Sequence, residues 1–407
     1  MENFQVRKVL EREHGERFVL ARAARPTNGQ CFADCVGPNK FAVKYFASQE
    51  EAEKALQDVS ADTPFCPTRT IKFTSLLPLD VPSPPINLSI TFGELEQVTE
   101  PSASNQHFPD FALVTAGPVN NSITFAWSGM GLTNLLYRGS LDEVLGKGYG
   151  LKTDLDRYPE GDLNYYTTNL QGAYWDAEKR IFRGWVHTER GHNTATGGFT
   201  FHGRVTYTES ADGLHWTPNK FTSKDVCISP PGPITHWPDQ SKNRGTAAHW
   251  VVRIGDYLYM YWKDTADAEM DDGTHRPDTC MARSRVSDSG KPGTWLKWYK
   301  GSFSEPGVGG RSSYVPDLVG SCVYPLTIPG YPSTLYLSPG IYSDNISISL
   351  DAIHWQLLHQ KYWKDTDTRY PSIVYDWKTK KTYLYGADTV NGNRRIIRHE
   401  MTVSLAA

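Results

Sequence analysis

Hydrophobic and polar positions alternate along most of the chain, and the alternation recurs in five similar copies. Each copy combines an apolar strand, a short polar turn and a second strand rich in aromatic residues. Alternation with a period of two on both sides of a short turn predicts β-hairpins rather than helices. The copies, called repeats one to five below, begin near Pro109, Gly172, Gly245, Pro316 and Tyr370.

A second pattern follows the hairpins in three of the repeats. The segments VTYTESADGLHWTP (205–218) and ISISLDAIHWQLL (346–358) share a strand, a turn with Asp and a closing Trp, and MARSRVSDSGKPGTWLKW (281–298) is a longer version. We expect the closing residues Trp216, Trp295 and Trp355 to pack in the core between neighbouring repeats. The repeat length of about 55 to 70 residues is too long for a solenoid and suits a propeller blade with long loops.

The patterns predict an all-β fold, a five-bladed β-propeller over residues 96–407. Residues 1–95 differ and are predicted to form a small N-terminal α+β extension that ends in a Pro-rich connector, LLPLDVPSPPINL (76–88). Within this extension a capping box from Ser48 to Glu51 predicts a helix over SQEEAEKALQDV (48–59).

Composition narrows the classes of partner. The chain has 407 residues, of which 39% are hydrophobic, enough for a substantial core. Its 42 basic and 45 acidic residues give a net charge of -3, so no nucleic-acid partner is expected. No apolar run approaches the roughly 18 residues of a membrane span, and none is expected. A small-molecule substrate, either an aromatic or polyene compound or a sugar, is the expected partner.

Localisation is predicted from the N-terminus and the cysteines. The opening residues MENFQVRKVL carry charges and no apolar h-region, and six Cys are spread thinly over the chain. Both features favour a cytoplasmic protein with free thiols, or a secreted one if a leader has been trimmed. Cys31, Cys35 and Cys66 lack a fourth partner at the spacing of a zinc site, so no metal is expected. The sequence also has no Gly-rich phosphate loop between a strand and a helix, so no other cofactor is expected.

The hairpin followed by S-x-D-G-x-x-W resembles the five-bladed propellers of glycoside hydrolase families 43 and 32 and their relatives, over about residues 100 to 405. This resemblance implies three carboxyl groups at the propeller axis: a base on the first blade, an orienting Asp on the second and a Glu acid on the third. Asp110 matches the first. The second blade has Asn169-Leu-Gln171 and the third has Arg244-Gly-Thr, so the other two positions depart from the pattern.

In a propeller the inner strands begin at one mouth of the central channel, so the residues that open the five repeats are expected to converge. The predicted catalytic residues are Asp110, Arg244, His249 and Asp317. The predicted substrate-binding residues are His107, Trp127, Gln171, Asp239, Tyr314, Arg369 and Tyr370. Asp239 and Asp317 stand in Pro-Asp pairs like Asp110, which are also common turns into strands.

Three functions remain open at this point, and we prefer the first because the third blade lacks the expected Glu acid. The first is a non-hydrolytic cyclisation in specialised metabolism, similar in type to the propeller-like fungal hetero-Diels–Alderases, in which Arg244 and His249 stabilise a developing oxyanion. The second is a glycoside hydrolase with Asp110 as base or nucleophile. The third is a non-catalytic carbohydrate-binding propeller, which predicts that Arg244, His249 and Arg369 are held in structural ion pairs with no enclosed pocket between them.

Overall fold

The computed structural model describes residues 4–11, 15–22, 28–29, 33–37, 40–43, 71–72, 76–77, 88–98, 114–119, 123–130, 133–139, 151–156, 167–193, 199–232, 243–271, 273–328, 331, 333–341, 345–358, 369–376, 379–391 and 393–405. Regular structure in these ranges is β-strand, apart from short 3-10 turns at Ser223–Asp225 and Val286–Asp288. The all-β prediction is therefore confirmed. The helix predicted over residues 48–59 lies outside the described residues.

The chain divides into two compact units. Unit 1 comprises Met1–Ser83, Glu269–Thr274 and Tyr299–Ser302, and unit 2 comprises Pro84–Ala268, His275–Trp298 and Phe303–Ala407. The predicted division at residues 95 and 96 stays a prediction. Unit 2 contains all the predicted site residues.

Unit 1 contains short antiparallel sheets. Its strands are β1 (Phe4–Glu11), β2 (Gly15–Arg22), β3 (Asn28–Gly29), β4 (Ala33–Gly37), β5 (Lys40–Val43), β6 (Ile71–Lys72) and β7 (Leu76–Leu77). The sheets have the orders β2-β1-β7, β3-β6 and β4-β5.

The first part of unit 2 contains strands from repeats one and two. These are β8 (Leu88–Gln97), β9 (Val114–Val119), β10 (Ile123–Met130), β11 (Thr133–Gly139), β12 (Leu151–Asp156), β13 (Thr167–Asp176), β14 (Ile181–Asn193), β15 (Phe199–Ser210), β16 (Trp216–Thr217) and β17 (Val226–Ile228).

Repeat three follows with β18 (Arg244–Ile254), β19 (Tyr257–Glu269), β20 (His275–Arg285), β21 (Leu296–Tyr299), β22 (Ser302–Pro306) and β23 (Ser312–Ser313). Repeat four contains β24 (Tyr324–Leu326), β25 (Leu335–Pro339), β26 (Ile346–Ser349) and β27 (Gln356–Leu358). Repeat five contains β28 (Arg369–Asp376), β29 (Lys381–Val390) and β30 (Asn393–Leu405).

The strands of unit 2 pair mainly within repeats, as antiparallel meanders. Two four-stranded sheets have the orders β12-β11-β10-β9 and β24-β25-β26-β27. Repeats two and three share an 11-stranded sheet, in which their strands meet at a short parallel ladder that pairs His202 with Arg244 and Gly203 with Gly245. Gly203 is required at this junction because a Cβ there would lie 1.9 Å from the Thr246 carbonyl oxygen.

The sheet of repeat five is completed by a strand from the other end of unit 2. Its order is β28-β29-β30-β8, and β8 pairs with β30 from Leu88–Leu405 to Gln97–Ile397. Residues of the predicted connector and extension are thus part of the last sheet. Pairing with β8 covers the edge of β30 that would otherwise be open. The blade number of five stays a prediction.

One hydrophobic cluster receives residues from every repeat. It includes Val114, Leu170, Ala248 and Cys322 from repeats one to four, and Tyr370 of repeat five packs against it. Apolar residues near the start of each repeat therefore share one core, as the convergence of inner strands requires.

The three closing Trp side chains are buried, as predicted, with Trp216 2%, Trp295 1% and Trp355 5% exposed. Trp295 of repeat three lies edge-on to Trp185 of repeat two, with ring centroids 6.0 Å apart. Trp355 of repeat four packs edge-on against Tyr261 of repeat three at 6.2 Å. These residues stabilise contacts between repeats rather than a site.

The turn before two of these Trp residues has the same hydrogen bonds in both copies. Asp212 Oδ1 accepts the backbone N–H groups of Leu214 and His215, and Asp351 Oδ1 accepts those of Ile353 and His354. In both copies the second carboxylate oxygen lies 2.7 Å from the Nδ1 atom of the His. The shared geometry explains the recurring Ser-x-Asp sequence as a local turn structure.

Candidate functional site

The inner strands of repeats two, three and five each carry a β-bulge at the corresponding place. The register shifts lie between Leu170 and Gly172 in β13, between Ala247 and Trp250 in β18, and between Arg369 and Ser372 in β28. Bulges bend a strand and redirect its side chains, and they are frequent beside active sites. They place three predicted site residues, Gln171, His249 and Tyr370, at one level of their strands.

Hydrogen bonds at these bulges join successive repeats. The Gln171 side-chain oxygen accepts the backbone N–H of His249 at 2.9 Å, and the Ser321 hydroxyl donates to the Ala248 carbonyl oxygen. Asn134 of repeat one also contacts repeat two, since its side-chain oxygen accepts the Leu170 N–H at 2.8 Å. Gln171, predicted to bind substrate, is 1% exposed. In this structure Gln171 connects β13 to β18.

His249 is buried between repeats two and three. Its side chain is 0% exposed, and its Nε2 atom lies 3.1 Å from the Trp185 carbonyl oxygen. Burial and the nearby His187 lower the pKa of His249 from 6.5 to about 3, so the imidazole is neutral at ordinary pH. A neutral ring that donates through Nε2 has Nδ1 as its acceptor, and Nδ1 has no hydrogen-bond partner among the described residues.

Arg244 is held by a carboxylate. Its Nε and Nη2 atoms donate to the two carboxylate oxygens of Asp267 at 3.0 and 2.8 Å. Both side chains are mostly buried, with exposures of 21% and 14%. A bidentate pair of this kind fixes the guanidinium and neutralises its charge. The arrangement matches the structural role that the binding hypothesis predicts for Arg244.

Asp264, at the start of the acidic sequence DTADAEMDDG, carries a buried carboxylate. Asp264 lies within β19 and is 3% exposed. Its Oδ1 atom accepts the backbone N–H groups of Ala266 and Asp267 at 3.1 and 2.6 Å. Burial raises the pKa of the Asp264 carboxyl despite these bonds. β19 extends into this segment, and the Asp264 carboxylate accepts backbone N–H groups that would otherwise be buried without a partner.

Lys297 anchors the glycine-rich loop over residues 307–311. The Lys297 Nζ atom donates to the carbonyl oxygens of Ser229 and Gly310 at 2.6 and 2.7 Å. The Gly309 N–H donates to the Ser229 hydroxyl at 2.9 Å. Burial lowers the pKa of Lys297 to about 8. These buried bonds fasten the loop to the segment that precedes β18.

Asp317 is an exposed residue in a tight turn before β24. It occupies the third position of a turn in which the Leu318 N–H donates to the Val315 carbonyl oxygen at 3.3 Å, after Pro316 at the second position. Asp317 has a left-handed φ of 60°. Proline followed by a left-handed residue is the pattern of a type II turn, whose third position favours Gly.

The surroundings of the Asp317 carboxyl change its acidity. The side chain is exposed, yet the surrounding protein raises the pKa of the carboxyl by desolvation, with no charged partner contributing among the described residues. The Asp317 carboxyl therefore stays protonated to a higher pH than an ordinary Asp side chain. A residue other than Gly is less stable than Gly in the left-handed region, and such strained residues are frequent at functional sites.

For the other predicted residues in the described ranges, the structure gives the burial of the side chain or the strand in which the residue lies. Tyr314 is half-buried and packs against the core of repeats two and three, and Tyr370 is half-buried with a left-handed φ of 51°. Trp127 lies in β10 and Arg369 in β28, where the backbone is described. His107, Asp110 and Asp239 lie outside the described residues and stay predictions.

Sequence reasoning missed several polar residues that shape this region. His187, opposite Asn169 in the β13–β14 ladder, has its Nε2 atom 2.7 Å from Glu189 Oε1. Ser347 contacts the backbone on both sides of Leu318, at the Asp317 carbonyl oxygen and the Val319 N–H. Neither residue opens a repeat, so a search confined to the first residues of each inner strand passes over both. Alternating Ser in β26 was the available signal for Ser347.

Within the described ranges, no group of three or more His, Cys, Asp or Glu side chains has the arrangement of a metal site. The same part of the chain has no helix with the length and apolar content needed to span a membrane.

Comparisons with known proteins found similarity at the level of structure. A scan against protein-family models and a search of curated proteins gave no match. The chain is similar to a thermostable family-43 glycoside hydrolase, with a TM-score of 0.44, 8% identity, and coverage of 74% of this chain and 93% of the other. For an α-L-arabinofuranosidase of Podospora anserina the TM-score is 0.44, with 10% identity and coverage of 78% and 97%. For a sialidase of Trypanosoma rangeli the TM-score is 0.38, with 9% identity and coverage of 98% of this chain and 54% of the sialidase chain.

Proposed function

We propose that unit 2 is a glycoside hydrolase in which Asp317 is the general acid. The supporting observation is the Asp317 carboxyl itself, which is exposed, has a raised pKa and sits at a turn position that favours Gly. Asp is less stable than Gly at such a position, and a chemical role for the carboxyl agrees with its presence there.

Hydrolysis of a glycosidic bond needs two carboxyl groups in opposite protonation states. In the proposed reaction the protonated Asp317 gives its proton to the glycosidic oxygen as the bond to the anomeric carbon breaks. A second, ionised carboxylate either takes a proton from the attacking water or attacks the anomeric carbon first. Asp110, which resembles the first-blade carboxylate of families 43 and 32, is our prediction for this second group.

The cyclisation hypothesis depends on different residues. It requires Arg244 and His249 as donors to a developing oxyanion. Arg244 instead binds Asp267 through two hydrogen bonds, and His249 is fully buried with its Nε2 directed to a backbone carbonyl. The hydrolytic proposal depends on neither residue, and we therefore prefer it to cyclisation of an aromatic or polyene substrate.

A non-catalytic carbohydrate-binding propeller is the second candidate. The Arg244–Asp267 ion pair favours it, because that hypothesis predicts an ion pair for Arg244. His249 instead lies against the Trp185 carbonyl oxygen and forms no ion pair among the described residues. The binding hypothesis assigns no chemistry to Asp317. Binding of oligosaccharides without turnover would distinguish it from the hydrolase.

The test is turnover of a panel of aryl glycosides by the full chain and two variants. Asp317→Asn removes the acid and is expected to lower kcat at least 100-fold, since general acid catalysis contributes on the order of 100- to 10,000-fold. Asp256→Asn, at an exposed carboxyl in the β18–β19 turn, is the matched control and should retain activity. An unmutated chain that binds glycans but hydrolyses none of the panel would exclude the proposal, as would full activity of Asp317→Asn.

A further inference from the structure

The turn that carries Asp317 is fastened to the neighbouring strand by one buried hydroxyl. The Ser347 Oγ–H donates to the Asp317 carbonyl oxygen at 2.6 Å, and Ser347 Oγ accepts the Val319 N–H at 3.0 Å. Ser347 is 0% exposed and lies in β26. A single hydroxyl thus binds the backbone on both sides of Leu318.

Gly320, which follows Val319, brings this segment close to β25. A Cβ at Gly320 would lie 1.8 Å from the Pro339 carbonyl oxygen and 2.8 Å from Ser338 Oγ. The Ile341 N–H donates to the Val319 carbonyl oxygen at 3.4 Å. The segment from Asp317 to Gly320 is therefore packed tightly against β25 and its continuation, and Ser347 provides the polar part of this contact.

We infer that Ser347 is a positioning residue, which holds the left-handed turn at Asp317 and thereby the orientation and hydration of its carboxyl. This inference rests on the proposed function of Asp317 as the acid. The physical reason is that a left-handed Asp is less stable than an extended one, so the turn persists only where other contacts hold its backbone. Ser347 does not reach the carboxyl, so its effect on Asp317 passes through the main chain.

The chain offers a close control for this role. Ser338 lies directly opposite Ser347 in the β25–β26 ladder and is also 0% exposed. Its hydroxyl has no hydrogen-bond partner among the described residues. Ser338→Ala therefore removes a buried hydroxyl from the same sheet without removing a hydrogen bond to the Asp317 turn.

The experiment measures the Asp317 carboxyl in two independent ways. In the glycoside assay, Ser347→Ala is expected to lower kcat about tenfold, with KM little changed, and to shift the alkaline limb of the kcat profile to lower pH. Ser338→Ala should stay within about twofold of the unmutated protein, and Ser347→Thr, which keeps the hydroxyl, should keep the unmutated pH profile. An alkaline limb unchanged in Ser347→Ala would overturn the inference.

The second measurement needs no turnover. A water-soluble carbodiimide with an amine modifies protonated carboxyls, and peptide mass spectrometry gives the extent of labelling at Asp317 against pH. We expect the midpoint to move to lower pH in Ser347→Ala and not in Ser338→Ala. If no glycoside is hydrolysed but the midpoint moves, the proposed function fails while the positioning role stands; identical midpoints overturn the role.

A third measurement uses the unmutated protein and covers the case in which Ser347→Ala does not fold. The Val319 amide, bonded to Ser347, should exchange its hydrogen at least 100-fold more slowly than an open amide. Exchange at the rate of an unstructured peptide would show that the contact does not persist and would overturn the inference.

Discussion

The side-chain oxygen of Gln171 accepts the backbone N–H of His249 at 2.9 Å, and this bond joins the inner strands of repeats two and three. Both residues lie at β-bulges, where the regular ladder leaves backbone groups unpaired. A side chain from one repeat therefore satisfies a backbone donor freed by the bulge in the next.

Loss of this bond should destabilise unit 2. Gln171→Leu leaves the buried His249 N–H without its acceptor, which is expected to lower the free energy of unfolding by about 2 kcal/mol. Urea denaturation measures the change, and Gln356→Leu, at an exposed Gln in β27, is the control, expected to change stability by less than about 0.5 kcal/mol. Equal stability of the two variants would contradict the importance of the contact.

Backbone strain at Asp317 predicts a difference between two variants that both lack the carboxyl. Because Gly adopts a φ of 60° freely and Ala does not, Asp317→Gly should be more stable than Asp317→Ala by about 1 kcal/mol. Thermal unfolding measures the difference. Both variants should lose glycoside turnover, and an active Asp317→Gly would show that the carboxyl has no chemical role.

The raised pKa of Asp317 sets the direction of the pH dependence of catalysis. The acid must be protonated to act, so kcat should fall as pH rises through the pKa of Asp317, above the ordinary value of 3.8. The measurement is kcat against pH for the unmutated chain and for Asp317→Asn. Residual turnover of the variant should lack this alkaline limb; a limb at the same pH in both would assign it to another group.

His249 predicts a pH dependence of stability. Its pKa is about 3 in the folded chain and near 6.5 when unfolded, so between these values the unfolded state binds a proton that the folded state does not. Stability should therefore fall as pH falls below 6.5, by up to about 1.4 kcal/mol per pH unit. Denaturation between pH 6.5 and 4.5 tests this, since His249→Gln should have a shallower slope. Parallel slopes would refute it.

Removal of the buried Lys297 cation should lower the free energy of unfolding more than loss of the Gln171 bond does. Lys297→Met leaves the Ser229 and Gly310 carbonyl oxygens without their Nζ donor. It also removes the positive charge that favours the ionised Asp264 carboxyl. We expect a loss of about 3 kcal/mol in the free energy of unfolding. Lys291→Met, at a lysine with 54% exposure, should cost less than about 0.5 kcal/mol. Chemical denaturation compares the two, and similar losses would contradict the anchoring role of Lys297.

Much of the fold could be predicted because its signals are local. Alternating apolar positions and turn residues predicted the hairpins, for example β13–β14 and β18–β19, and the recurring Ser-x-Asp turn predicted buried Trp residues. The site was harder to predict, since Gln171 and His249 have the polarity of ligand-binding residues and nothing local shows that their hydrogen bonds are made inside the protein.

Taken alone, the sequence determined the all-β class, the hairpins and the repeat, because strand pairing and turn formation depend on residues close together in the chain. Only the tertiary structure decided that β8 completes the sheet of β30, that Asp267 holds Arg244, and that Ser347 fastens the turn at Asp317. Those contacts join residues as far apart in the chain as Leu88 and Leu405, which are 317 positions apart. Burial, which decides whether a polar side chain is a reactive group or a structural one, depends on such distant packing.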